Sequence, residues 1–160
     1  MLKLSKLTDY AAVIMAQIAR EPDLAHTASE LAQRVNLPLP TVGKTLKMLS
    51  KSGLLESRRG SHGGYVLSRS AAQITASDII AAIEGPIGMT ECSHADGECG
   101  LLDTCGVSDN WQRVSQAIRT LLDGVTLAHL AQSSPLKLPV QLPIQSVTLP
   151  STVNAVREHG

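Results

Sequence analysis

Phenylalanine is absent from the 160 residues, and the aromatic content is limited to Tyr10, Tyr65 and Trp111. A core without aromatic bulk must be built from Leu, Ile, Val and Ala, which suits small packed helices better than a sandwich or barrel. Long apolar runs are also missing. Residues 11–16 come nearest and are broken at Gln17, so no membrane span is expected. The start of the chain shows no hydrophobic signal region followed by a small-residue cleavage site, and the expected location is the cytoplasm. Cysteine is scarce and odd in number, with Cys92, Cys99 and Cys105 in one short stretch. That count argues against a disulfide framework, and the clustering argues for a metal or redox site. No Ser-His-Asp, Walker or nucleotide-binding fingerprint is present, and no histidine is identifiable as partner to a nucleophilic cysteine. An enzyme is not expected.

Net charge is also lacking, but the zero hides an asymmetry. Residues 1–69 carry ten Lys/Arg against five Asp/Glu, whereas residues 70–132 carry two against eight. A basic half is the electrostatic footprint of a nucleic-acid surface, although two solvated faces of opposite sign would give the same tally.

The basic half has a recognisable order. A first helix is expected over residues 8–20, closed by Glu21-Pro22. Thr27 and Glu30 have the spacing of a capping box, opening a second helix that runs through Val35. After the turn Asn36-Leu37-Pro38, Pro40 suits the first turn of a third helix reaching about Ser52, with Gly53 as its left-handed stop. On that third helix Val42, Leu46 and Leu49 share one face, and Lys44, Lys47 and Lys51 lie roughly opposite. The apolar face would pack inward and present the ammonium groups to phosphates; a solvated face would look alike. Residues 54–58 and 65–68 read as strands flanking a Gly-rich loop that carries Arg58, Arg59 and His62. A basic hairpin directly after a basic helix has the layout of a wing beside a reading helix. An ordinary surface hairpin is the alternative.

Thr75 with Asp78 starts a fourth helix that stops at Gly85-Pro86. Beyond the cysteine stretch, Val107, Trp111, Val114, Ile118, Leu121 and Val125 repeat at heptad spacing. Such a seam could lie on the chain's own core, but so small a domain leaves little core surface for it, which favours pairing with a second copy. Gly124 is expected to end it, with one further helical turn over 126–131. The expected organisation is a winged-helix DNA-binding domain over 1–86, a cysteine cluster-binding loop over 87–106, a dimerisation helix over 107–132 and a Pro-rich tail over 133–160. The tail holds Pro135, Pro139, Pro143 and Pro150, and is expected to be extended or disordered. The fold class is mainly α, a winged helix-turn-helix with a two-stranded wing and a long C-terminal dimerisation helix.

Four strings carry a resemblance: residues 4–11 (LSKLTDYA), the wing 59–65 (RGSHGGY), the series Cys92, Cys99, Cys105, and residues 126–130 (TLAHL). Together they resemble the Rrf-two family of bacterial transcription regulators over about residues 1–132. The run Met89-Thr90-Glu91-Cys92 is most similar to the branch that regulates the Suf iron–sulfur assembly system. The resemblance implies a dimer that binds double-stranded promoter DNA through its first three helices and wing, with an iron–sulfur cluster tuning that binding. It implies DNA contacts from Thr41, Lys44, Thr45 and Lys47 on the third helix and from Arg58, Arg59, Ser61 and His62 on the wing. Arg59 would enter the minor groove or clamp a phosphate. It also implies a dimer surface at Trp111, Val114, Ile118 and Leu121. Pro38 and Pro40 stand where other branches have serines, so operator preference does not carry over.

The cluster, 2Fe–2S or 4Fe–4S, needs thiolates, usually four. Six and five residues separate the cysteines, unlike the tight Cys-x-x-Cys of a zinc knuckle, and Gly97, Gly100 and Gly106 would let the backbone bend close to sulfide. The fourth ligand is open. Ser108 occupies the position where one branch places a histidine, while Asp9 matches an aspartate that nitric-oxide-sensing relatives use; His94 is a local rival. Asp9 would equally suit an acid complementing a helix dipole. A thiol-redox or nitric-oxide-responsive regulator, a cluster-free paralogue and a protein-binding adaptor on the same fold are the other readings.

Overall fold

The computed structural model describes residues 4–60, 63–88 and 107–132. The three cysteines, Ser61, His62, His94 and the Pro-rich tail lie outside the described residues. Among the described residues, six helices and one hairpin follow in the order α1 (Lys6–Arg20), α2 (Ala28–Arg34), α3 (Leu39–Lys51), β1 (Leu55–Arg58), β2 (Gly64–Leu67), α4 (Ala76–Glu84), α5 (Ser108–Asp123) and α6 (Leu127–Ala131). Among the described residues, no helix is long and apolar enough to cross a membrane.

The apolar stripe of α1, Ala11, Ile14, Met15 and Ile18, has the i, i+3, i+4, i+7 spacing of one helix face and is wholly buried. Ser5 caps it, its hydroxyl accepting from the Thr8 N–H at 3.3 Å. Thr27 caps α2 in the same way, accepting from Glu30 N–H, but the expected reciprocal bond is replaced. The Glu30 carboxylate turns to Arg34, one helical turn on, at 2.8 Å. Pro38 leads into α3 without a side-chain cap, and Pro40 sits where a helix has no use for its N–H. α3 closes on Gly53 at φ +77°, with Gly53 N–H donating to Ser50 O and Leu54 N–H to Leu49 O. That pair of bonds tolerates no side chain comfortably at residue 53 and aims the chain straight into β1.

β1 and β2 pair antiparallel, Leu55 opposite Leu67 and Arg58 opposite Gly64. Leu55 belongs to the core, with Tyr65 and Leu67 of β2 packed against it, while Val66 is buried on the opposite face of the hairpin. A single bridge, His26 to Tyr65, attaches the segment before α2 to the outer side of β2. Gly64 is fixed there by space, because a Cβ would lie 2.7 Å from backbone atoms of His26.

Thr75 and Asp78 form the full capping box that opens α4, and Asp78 also accepts from Arg69 at 2.7 Å. Beyond the cysteine stretch one helix runs up to Gly124 and a short further turn follows it. α5 stops at Asp123, Val125 is buried and α6 returns to pack on α1. Ala76 N–H donates to Val125 O, Leu127 N–H to Ile74 O and Ala128 N–H to Ala71 O, so residues 125–128 are stitched to the loop before α4. Leu127 is fully buried in the same core cluster as the apolar stripe of α1, and burial of one such side chain is worth ~2 kcal/mol. Val125 therefore belongs to the domain core and not to the seam.

Candidate nucleic-acid interface

α3 buries Val42, Thr45, Leu46 and Leu49 against the other helices and leaves Lys44, Lys47 and Lys51 exposed. At 100° per residue the three ammonium groups cluster on the face opposite the buried stripe. Thr41 is half-buried. Thr45 departs from expectation as a DNA contact, since it is completely buried and its hydroxyl donates to Thr41 O at 2.9 Å. Thr45 lies on the flank of the apolar stripe, and its hydrogen bond is satisfied within the helix.

Arg58, at the end of β1, and Arg59 are exposed. Among the described residues, Lys44, Lys47, Lys51, Arg58 and Arg59 form no ion pair, whereas Arg34 is paired with Glu21 and Glu30, and Arg69 with Asp78. Arg34 and Arg69 are thus neutralised, whereas five cations without an ion pair fall together on α3 and the wing; Lys6 and Arg20 on α1 and Arg113 and Arg119 on α5 also lack an ion pair among the described residues. Free cations on two consecutive elements, joined by the tight Gly53 turn, suit a polyanion that contacts helix and hairpin together. Leu39, exposed at the start of α3, adds an apolar group able to meet a thymine methyl. The sequence offered no signal for it beyond its two proline neighbours.

A second region frames the cysteine segment. The backbone N–H of Ser5 donates to Glu84 Oε1 at 2.8 Å, and the Thr8 hydroxyl donates to the same oxygen. The first turn of α1, which carries the exposed Asp9, is therefore tied to the last residue of α4, from which the chain leaves toward the cysteines. On the far side, Arg119 of α5 donates to Ile87 O at 2.9 Å. Three thiolates in the intervening segment and an exposed carboxylate on the turn beside its entry make a donor set chemically suited to an iron–sulfur cluster.

The Thr8 hydroxyl, followed by the Ser5 backbone, holds the Glu84 carboxyl below its ordinary 4.5. A depressed carboxyl pKa contributes stability that is complete above the unfolded value and lost as pH falls through the folded one. The stability difference between the wild type and Glu84→Gln is expected to be constant above pH 4.5 and to shrink below it. Thermal melts of both proteins across acid pH check this, and the difference should be small because Glu84 is exposed.

A third cluster, Glu21, His26 and Glu30, was not expected from the sequence, where these residues carry no metal-binding spacing. It is formed by the end of α1, the bridge to β2 and the first turn of α2.

The family model described as "Iron-dependent Transcriptional regulator" (Rrf2) matches residues 4–133. The chain is 32% identical over 131 residues to the HTH-type transcriptional regulator CymR of Bacillus subtilis, covering 81% of this chain and 90% of that one. It is 28% identical over 133 residues to the HTH-type transcriptional regulator IscR of Yersinia enterocolitica, covering 82% and 80% respectively. Among solved structures, that of CymR, described as the global cysteine regulator of B. subtilis, is similar with TM-score 0.65 at 32% identity, over 84% of this chain and all of that one. The structure of T. potens IscR is similar with TM-score 0.60 at 28% identity, over 79% and 84%.

Proposed function

The chain belongs to the Rrf2 family of transcriptional regulators, and from that premise we propose that it is a cytoplasmic, dimeric promoter-binding protein governed by an iron–sulfur cluster. The genes it controls are those of iron–sulfur cluster assembly. The observation that carries the DNA-binding reading is the unneutralised set of cations, Lys44, Lys47, Lys51, Arg58 and Arg59, on α3 and the hairpin after it. Thr41 adds to these contacts, and so do Ser61 and His62, which lie outside the described residues.

Cys92, Cys99 and Cys105 hold the cluster, with Asp9 as a weaker oxygen donor. Bound there, the cluster supplies a tie that oxygen, nitric oxide or iron shortage can remove. The protein's own part is mechanical. Glu84 clamps the first turn of α1 to the end of α4, and Arg119 of α5 holds the backbone at Ile87, so the entry to the cysteine segment bears both on helices of the reading head and on α5. A tenfold change in operator affinity requires only ~1.4 kcal/mol of coupling between the two sites.

The similarity to CymR favours a second reading, in which the same cysteines sense thiol oxidation without a metal. One experiment separates the two. Anaerobically purified protein is assayed for iron and sulfide, then for promoter binding before and after cluster removal, alongside Cys99→Ala. Bound iron and sulfide that disappear in Cys99→Ala, together with an altered operator affinity, are expected. Iron-free protein whose DNA binding responds to oxidant would establish the second reading instead.

A further inference from the structure

We propose that Glu21, His26 and Glu30 form a binding site for a divalent first-row transition-metal ion at the root of the wing, separate from the cysteine segment. The His26 side chain is completely buried. Its Nε2 lies 3.1 Å from the backbone carbonyl of Glu21, which fixes the ring and makes Nε2 the donor nitrogen. In the neutral ring Nδ1 is then a lone-pair nitrogen, and it is a buried side-chain atom with no hydrogen-bond partner. Glu30 Oε1 is 3.6 Å away, too far for a hydrogen bond, and is itself an acceptor. One ligand atom from each of Glu21, His26 and Glu30 lies within 4.8 Å of the others.

A buried lone pair aimed at two carboxylates is a costly arrangement unless a cation sits among them. Arg34 shows that the carboxylates attract one, its guanidinium lying 2.5 Å from Glu21 and 2.8 Å from Glu30. The hydrogen bond to Glu21 is the main reason its pKa is raised. The guanidinium nevertheless leaves Nδ1 unmatched. A Lewis acid can take the imidazole nitrogen and both carboxylates together, with water completing its shell. One nitrogen and two oxygens select a transition-metal dication over magnesium or calcium.

The site's place in the fold gives it a consequence. The N–H and C=O of His26 both pair with Tyr65 on β2, at 3.0 and 2.8 Å. An ion held here links the end of α1, the first turn of α2 and the strand from which the wing rises.

The probe is Mn2+ alone, chosen because it prefers oxygen and nitrogen to thiolate, added to the full chain and to the Cys92/Cys99/Cys105→Ser variant. Loss of the free-ion EPR signal is expected to report one tight Mn2+ per chain in both, with a rise in thermal midpoint. Glu21→Gln and Glu30→Gln, both at partly exposed positions, should each weaken binding by about tenfold or more, and Arg34→Gln should strengthen it by removing the competing cation. Nitrogen modulation in the bound-Mn2+ echo spectrum should be present in the wild type and absent in His26→Asn. Failure to bind at millimolar Mn2+, binding unaffected by both Glu variants, or binding lost only with the cysteines would overturn the site. The cysteine-free protein makes that failure distinguishable from failure of the cluster proposal.

Discussion

Replacing Lys44, Lys47 and Arg59 together by neutral residues removes six cations from the dimer, and is expected to weaken promoter binding by about a hundredfold or more at physiological salt and to lower the slope of log K against log[salt] by ~5.4. The size follows from counting phosphates. Each cation that neutralises one phosphate releases about 0.9 counterion from the duplex, and these three form no compensating ion pair with any described residue. Because the contribution is electrostatic, the loss should be similar for operator and random DNA, leaving the specificity ratio nearly intact. Titration of both duplexes at several salt concentrations provides the measurement. Unchanged slopes would place the DNA surface elsewhere. Thr45→Val supplies the contrast. It removes a buried hydroxyl bonded to Thr41 O, so it should lower stability while the salt slope of the folded protein stays at the wild-type value.

That contrast also shows where the sequence was informative. Helix starts and stops were legible because they are local: Thr27, Gly53 and the Thr75–Asp78 pair each act on backbone groups within a few residues. The buried stripe of α1 and the two faces of α3 were legible because helical periodicity is strict. Thr45 was misjudged because its position borders the apolar stripe, and periodicity cannot say which side of a boundary the packing takes. Glu30 had two partners in reach, and the Arg34 guanidinium displaced the backbone N–H of the capping box. Val125 and Leu127 joined the core through bonds to Ala76 and Ile74, about fifty residues away, which no local pattern encodes. His26 stayed silent for the same reason. Its surroundings come from α1, α2 and β2 and exist only once those three meet.

The second large effect concerns α5. Along this 16-residue helix Ser115 is buried and Ile118 half-buried, whereas Trp111, Val114 and Leu121 remain 41–42% exposed. The heptad side chains therefore face outward from the single chain, since the adjoining core is already filled by Val125 and Leu127 from the following turn. Two copies brought together by a two-fold axis would cover the stripe on both helices. With each large side chain regaining about 1 kcal/mol for its remaining exposed surface, the gain is of the order of the lower estimates of association cost, ~4 kcal/mol and above. One buried charge should then tip the balance. Leu121→Glu is expected to give a folded monomer at micromolar concentration by sedimentation velocity, with the melting transition of the winged helix retained. Operator affinity should fall by about a hundredfold or more, because the second half-site, ~34 Å along the duplex, is no longer reached by a tethered head at millimolar effective concentration. The analogous change at Val125, inside the domain core, should unfold the protein. A Leu121→Glu protein that still sediments as a dimer would move the pairing surface off α5 and leave its exposed stripe without a partner.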